Sequence, residues 1–245
     1  MKNVKRIVRE TVKRDVCAGW KRGIVAATMM LMAATVGVQA QDKAEVSVGA
    51  DLVSSYVWRG VYQTGVSFQP GMSLDWKGFS VGAWGSTDFD SFKEFDLSLG
   101  YSIGGLSLGV TDYWWSGQGA PYFAHPGSSH LIEGTVAYTF GESFPLTASW
   151  STFFAGADKK ADGKQQYSTY IELSYPFTLG GVDMSMAVGA APWLSPAWLP
   201  VDKEGFQVAN ISLTAAKELY SLPMFVQVAA NPATDDVHLV VGISF

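Results

Sequence analysis

The sequence predicts an all-β fold, a transmembrane antiparallel up-and-down β-barrel of about 12 strands. Three observations carry this expectation. Apolar and polar residues alternate over segments of roughly 9–14 residues, the connections alternate between tight and long, and the aromatic residues of the apolar faces gather near segment ends. Composition agrees, because a chain with 48% hydrophobic, 13% aromatic and only 16% charged residues is neither a disordered segment nor a nucleic-acid binder.

The chain opens with a leader. Residues 1–40 hold eight of the 17 Lys and Arg residues and two of the 22 Asp and Glu residues, and the basic start runs into the apolar stretch Ile24–Val38 and then Val38-Gln39-Ala40. That order is the charged, apolar, small-residue pattern of a secretory signal peptide, and it predicts cleavage after Ala40. The apolar stretch, at about 15 residues, is short for a membrane helix. Cys17 precedes it, which argues against a lipoprotein anchor. Residues 41–245 form the predicted barrel domain, with nine basic residues against 20 acidic ones and no cysteine. This excludes a disulfide, a thiolate nucleophile and a cysteine metal site there, and it opposes a nucleic-acid partner, which needs clustered Lys and Arg.

The first strand is read from Val46, Val48, Ala50, Leu52, Tyr56 and Trp58 alternating with Glu45, Ser47, Gly49, Asp51, Ser55 and Arg59. The second sets Val66, Phe68, Pro70, Met72, Leu74 and Trp76 against Ser67, Gln69, Gly71, Ser73, Asp75 and Lys77. The same reading gives strands near 44–59, 66–77, 79–88, 94–103, 106–115, 131–140, 146–155, 166–177, 182–191, 206–216, 222–231 and 237–245. Pro70 removes a ladder hydrogen bond, so a bulge is expected at Pro70-Gly71.

Tight links at Lys77-Gly78, Gly104-Gly105, Gly141–Pro145, Thr178–Gly181 and Lys217–Ser221 alternate with mostly longer ones, as periplasmic turns alternate with extracellular loops in an outer-membrane barrel. A soluble sandwich also alternates apolar and polar residues. It has no reason to sort aromatics by height, whereas Trp76, Phe79, Tyr101, Tyr138, Phe140, Tyr175, Phe177 and Phe245 fall near the tight-turn ends, like one interfacial girdle. Tyr56, Trp58, Trp114 and Phe154 fall near the opposite ends. Val237, Leu239, Val241, Ile243 and Phe245 alternate to a terminal aromatic, resembling the sorting end that the barrel-assembly machinery reads in outer-membrane proteins.

The stretch Ser54-Ser55-Tyr56-Val57-Trp58-Arg59-Gly60-Val61-Tyr62-Gln63-Thr64, followed by Gln69-Pro70-Gly71 and Gly78-Phe79-Ser80-Val81-Gly82-Ala83-Trp84, resembles the opening of the TorF-type porin family, also described as Gcw-type bacterial proteins. The likeness is specific over about residues 50–85 and limited to strand pattern elsewhere. It implies a barrel in the bacterial outer membrane and a pore, but no particular solute.

Arg59 is the only arginine after the leader, and the alternation points it into the lumen near the loop end. On the same register Glu94, Asp96 and Glu133 lie in the upper half, with Asp51 and Glu172 near mid-height. A guanidinium fork holds two carboxylates, so these residues read equally as a charge-selecting constriction or as a structural brace. Inward Asp51, Asp75, Glu94, Asp96, Glu133, Glu172 and Asp183 outnumber Arg59, Lys77 and His238, which favours cations or neutral solutes. His125 and His130 lie near Ser128 and Ser129 without a hydrolase spacing, and with Asp112 they match no standard metal site, so neither catalysis nor a cofactor or metal is expected. The expected role is passive passage of small solutes. A closed barrel whose aromatic loops at 116–130 and 192–205 bind a surface partner or glycan is the alternative, and a lipid-modifying enzyme comes third.

Overall fold

The computed structural model describes residues 43–116, 121–124 and 129–245. The predicted signal peptide, Cys17, His125 and Ser128 lie outside the described residues. Fourteen strands follow in chain order: β1 (Glu45–Val53), β2 (Tyr56–Trp58), β3 (Val61–Thr64), β4 (Ser67–Trp76), β5 (Phe79–Thr87), β6 (Lys93–Ile103), β7 (Leu106–Trp115), β8 (Leu131–Thr139), β9 (Thr147–Gly156), β10 (Thr169–Leu179), β11 (Val182–Ala191), β12 (Gln207–Leu219), β13 (Leu222–Asn231) and β14 (Asp236–Ser244).

Twelve of them close into an antiparallel barrel in which each strand pairs with its sequence neighbours and β1 meets β14. β2 and β3 form a separate two-stranded hairpin. The expected fold class therefore holds, with one correction in the first strand. It ends at Val53 instead of continuing to residue 59, because the chain bends at Ser54-Ser55 and turns the β2–β3 tip away from the wall.

The tight end of the barrel rests on turns that need left-handed backbone. Lys77-Gly78 (φ 50° and 87°) and Gly180-Gly181 (φ 59° and 73°) carry positive φ at both central positions, the geometry whose twist matches two-residue hairpins. Pro70 causes no bulge. β4 keeps one unbroken register with β1 across Pro70 and Gly71, and its ladder with β5 pauses at Gln69 and Pro70 and resumes in the same frame. The missing N–H thus costs local pairing and no extra residue. The barrel-wall bulges fall instead at Ile132/Glu133 against β9 and at Gly189/Ala190 against β12.

Outward positions form an apolar belt. Val48, Met72, Val81, Leu99, Val110, Val136, Trp150, Leu173, Val188, Leu213, Val228 and Leu239 are all exposed, one on every barrel strand. A water-soluble protein would bury such a belt, and a bilayer supplies the apolar medium it lacks. Inward positions are small and polar: Ser67, Gln69, Ser86, Thr111, Thr135, Ser151, Ser174 and Asn210 are buried. Apolar packing inside the barrel falls into two clusters. One joins Tyr113, Leu131, Phe153, Tyr170, Trp198 and Leu199 at the loop end, and the other joins Val53, Val57, Ala216, Phe225, Ala229 and Val240 beside the β1–β14 seam. In the second, the Phe225 ring occupies the place a Cβ at Gly242 would take, so glycine there makes room for an inward aromatic.

The seam is short. β1 pairs with β14 through Asp51–Ser244, Leu52–Ile243 and Val53–Gly242, extended by reciprocal backbone hydrogen bonds between Ala50 and Phe245, whereas β1 pairs with β4 from Glu45–Asp75 to Val53–Ser67. Ser54 covers the point where the chain leaves: its N–H donates to the Val241 carbonyl and its Oγ accepts the Val241 N–H, both at 2.9 Å. Beyond that, no strand pairs with the β1-facing edge of Asp236–Val240.

Candidate functional site

The inward tip defines the site. Arg59 and Gly60 are the two central residues of its turn, with φ of 53° and 79°. This mirror-image turn suits glycine and is uncommon for arginine. Gly60 packs directly on the Ala209-Asn210 backbone of β12, where a Cβ would overlap the Ala209 carbonyl oxygen. The Gly60 carbonyl accepts a hydrogen bond from Asn231 Nδ2 at 3.2 Å, and Asn231 Oδ1 in turn accepts the Ala233 N–H at 3.0 Å. The tip therefore leans into the mouth and docks on the wall two and three strands from β1.

Arg59 is clamped there. Its Nη2 donates to Glu133 Oε1 at 2.8 Å and its Nη1 lies 2.7 Å from Glu133 Oε2, a two-point fork on a carboxylate that is itself only 2% exposed. The guanidinium carbon sits 4.4 Å from the Trp58 ring centre, 4.6 Å from that of Tyr170 and 5.8 Å from that of Trp198. Rings on several sides of a desolvated cation strengthen its hold. Glu133 also accepts from Tyr113 Oη at 3.2 Å, and it stands at the β8–β9 bulge, a device that re-aims a side chain. Trp198 and Leu199, 5% and 1% exposed, bring the 192–205 loop down onto the same cluster. That loop is folded into the mouth through these two residues, while Trp193, Pro196, Pro200, Asp202, Lys203 and Glu204 remain exposed.

The tip is anchored at its base as well. Tyr56 packs edge-on against Trp84 and Phe92, with ring centres 5.6 and 6.0 Å apart, and its hydroxyl bonds to Glu94. Thr64 Oγ1 donates to Asp88 Oδ2 at 2.8 Å. The other Asp88 oxygen accepts the N–H groups of Asp90 and Phe92, and these bonds, the Asp90 one first, hold its carboxyl below the ordinary range.

Of the carboxylates assigned to Arg59 from sequence, the structure pairs Glu133 alone. Glu94 belongs to Tyr56. Glu172 accepts from Tyr170 Oη at 2.5 Å and lines the lumen on the opposite wall. Asp51 sits lower, bonded to Ser244, away from the cavity lining. Asp96 lines the cavity with one oxygen unbonded. Around and below the tip the lumen holds a cavity of about 150 Å³ that opens to solvent, lined by the aromatic rings of the tip and wall together with Ser98, Thr111, Thr135, Ser149, Ser151 and Asn210. The expected girdle residues Trp76, Phe79, Tyr138 and Phe245 are exposed on the outer face, Phe79 stacks against Tyr101 at 4.7 Å, and Tyr175 meets Phe144 at 5.7 Å.

Sequence reading missed Asn231, Thr64 and Asp88 as tip anchors, since isolated polar residues carry no spacing signal. The Pro-Trp-rich run at 192–200 was the one available sign that a loop enters the mouth. His130 is engaged at both ring nitrogens, Nδ1 at 2.8 Å from Asp112 Oδ1 and Nε2 at 2.7 Å from the Tyr122 carbonyl, which leaves neither for Ser129. Burial by itself lowers its pKa, but the Tyr122 and Asp112 bonds outweigh burial and raise it. His238 stacks on Tyr62, ring centres 6.1 Å apart. Among the described residues no group of three or more His, Cys, Asp or Glu converges as metal ligands.

No family model and no curated protein matches the chain. Two solved structures are similar in fold. BamA from Haemophilus ducreyi lacking POTRA domains 1–3 is 12% identical with a TM-score of 0.37, over 78% of this chain and 42% of that one. CdiB from Acinetobacter baumannii is 13% identical with a TM-score of 0.36, over 78% and 38%. The chain thus spans less than half the length of either.

Proposed function

We propose that the protein is a gated porin of the bacterial outer membrane, passing small cationic or neutral solutes through its lumen, with the β2–β3 tip as the gate. One observation carries the reading: the tip is the end of a wall hairpin bent inward. Val53 faces Ser67 in the wall and Tyr56 faces Thr64 at the base of the tip in one pairing frame, and the frame then shifts by one residue at Tyr56/Val57, with Gln63 the extra residue on β3. Continuing the β1–β14 frame from Val53–Gly242 sets Tyr56 opposite Leu239, Trp58 opposite Val237 and Arg59 opposite Asp236.

That continuation has the right chemistry at each step. Val237 and Leu239 face outward and are exposed, so Tyr56 and Trp58 would join them as interfacial aromatics. Arg59 would face the lumen beside an opposite charge. An edge without a partner is expensive in lipid, which makes Asp236–Val240 a ready place for the tip to dock when it swings out. The cavity beneath, open to solvent and carrying Asp96, Glu172 and several serine and threonine hydroxyls, and the likeness of residues 50–85 to TorF-type porins support the same reading.

Cysteine pairs test it, because residues 41–245 have none of their own. A disulfide between Tyr56→Cys and Leu239→Cys should form and give a conducting barrel in planar bilayers, closing again on reduction. A disulfide between Tyr56→Cys and Trp84→Cys should hold the barrel shut. Failure of the first pair to form, or a locked-out barrel that never conducts, would sink the gate. The alternative of a loop-binding protein is favoured only by Phe123, 95% exposed and edge-on to Tyr122 at 5.0 Å.

A further inference from the structure

Asp96 is the least satisfied charged group in the lumen. Only 8% exposed, it accepts a hydrogen bond from the Trp114 N–H but keeps one carboxylate oxygen with no hydrogen-bond partner, and the charged neighbours that act on it are Glu94, Asp112 and Glu133, all acidic. Arg59, the one arginine of residues 41–245, is committed to Glu133. A carboxylate in so enclosed a place without a counter-charge is costly.

Its surroundings are specific. Trp84, Asp96 and Tyr113 stand directly opposite one another across β5, β6 and β7, so two aromatic rings flank the carboxylate on one rung. Tyr56 lies against Trp84 from the tip. On β7, Thr111 is 5% exposed and its hydroxyl also lacks a partner. Trp84, Asp96, Thr111, Tyr113 and Tyr56 all line the cavity. The two unpartnered groups are thus independent of each other and open onto one space.

We propose that this rung is a binding site for a small organic cation bearing a primary or quaternary ammonium group. Asp96 supplies the counter-charge, the Thr111 hydroxyl accepts a hydrogen bond where the ammonium carries N–H, and the rings of Trp84, Tyr113 and Tyr56 face the positive charge and its carbon substituents. A divalent metal fits poorly, since its oxygen ligands would have to converge and the described carboxylates do not. The site deepens the reading of the lumen as a cation passage and rests on that reading for its use, but occupancy does not require conduction.

Titration calorimetry on the purified, folded barrel in detergent tests the site with 1,4-diaminobutane and tetramethylammonium, against potassium as the inorganic control. Both organic cations should bind, with potassium competing only at far higher concentration. Asp96→Asn should weaken both by tenfold or more. Trp84→Leu should weaken tetramethylammonium more than the diamine, and Glu142→Gln in an exposed turn should change neither. Folding of each variant is checked by its gel shift on heating, and Trp84→Leu carries the test if Asp96→Asn misfolds. Absence of binding, binding unaltered by the substitutions, or potassium competing on equal terms would overturn the proposal. A barrel that binds both organic cations yet never conducts when the tip is locked out keeps the site and removes the porin reading, whereas a conducting barrel that binds neither does the reverse.

Discussion

Arg59 ties the tip to the wall through Glu133 and three aromatic rings, and under the proposed gate it holds the closed state. Its two-point contact with Glu133 is buried on both sides, and removing one partner of such a pair leaves the other charged and unpaired, a loss of about 3–5 kcal/mol. Arg59→Ala should therefore free the tip and raise the open fraction in bilayer recordings. Arg59→Lys should fall between, because an ammonium cannot make the fork and stacks less well on rings. An alanine variant as quiet as the parent would show that the aromatic cluster alone holds the mouth. Arg59 was legible in the sequence as the only arginine of residues 41–245, and so was its lumen position. Its partner was not: Glu94, Asp96 and Glu133 share a facing, and only the bulge at Glu133 and the reach of the tip decide among them.

At the scale of elements, the alternation that marks a strand does not say where the strand pairs. Tyr56, Val57, Trp58 and Arg59 alternate as well in an inward hairpin as in a wall, so the sequence extends the first strand to residue 59 while the chain turns at Ser54-Ser55. The remaining barrel strands were readable to within three residues at either end, because one face is constrained by lipid and the other by the lumen.

The outer loops carry their own test of charge. Both ring nitrogens of His130 meet acceptors, an arrangement fully bonded only by the imidazolium. Its pKa is raised, so its contribution to loop order is complete below the ordinary histidine value of about 6.5 and is lost as pH rises through the higher folded value. Amide exchange around Tyr122 should accordingly speed up above neutral pH. Asp88 has the opposite sign. Its lowered pKa supports the 88–92 loop above the ordinary carboxylate range, and that support fades as pH falls through the lowered value. Protection of the amides around Tyr122, taken relative to their intrinsic exchange rate at each pH, that stays flat from pH 6 to 9 would remove the His130 clamp.

For the whole molecule, the exposed belt makes a prediction that no soluble β-fold shares. Leu99→Arg puts a charge on the outer face near mid-barrel and should cost about 2–4 kcal/mol in a bilayer, seen as less folded protein in lipid vesicles. Ser98→Lys, one residue away on the lumen side, should be far milder. Equal tolerance of the two would count against immersion of the belt.

A ring closed by so short a seam is also a mechanical object. Left as a plain hoop, it would flex most where β1 meets β14 and flatten into an oval. The tip acts as a set of spokes: Arg59 ties the seam to β8 across 74 residues of chain, and Gly60 ties it to β13 across 171. The hairpin that fills the mouth therefore also keeps the wall round, and under the proposed gate the barrel would give up cross-section stiffness on opening.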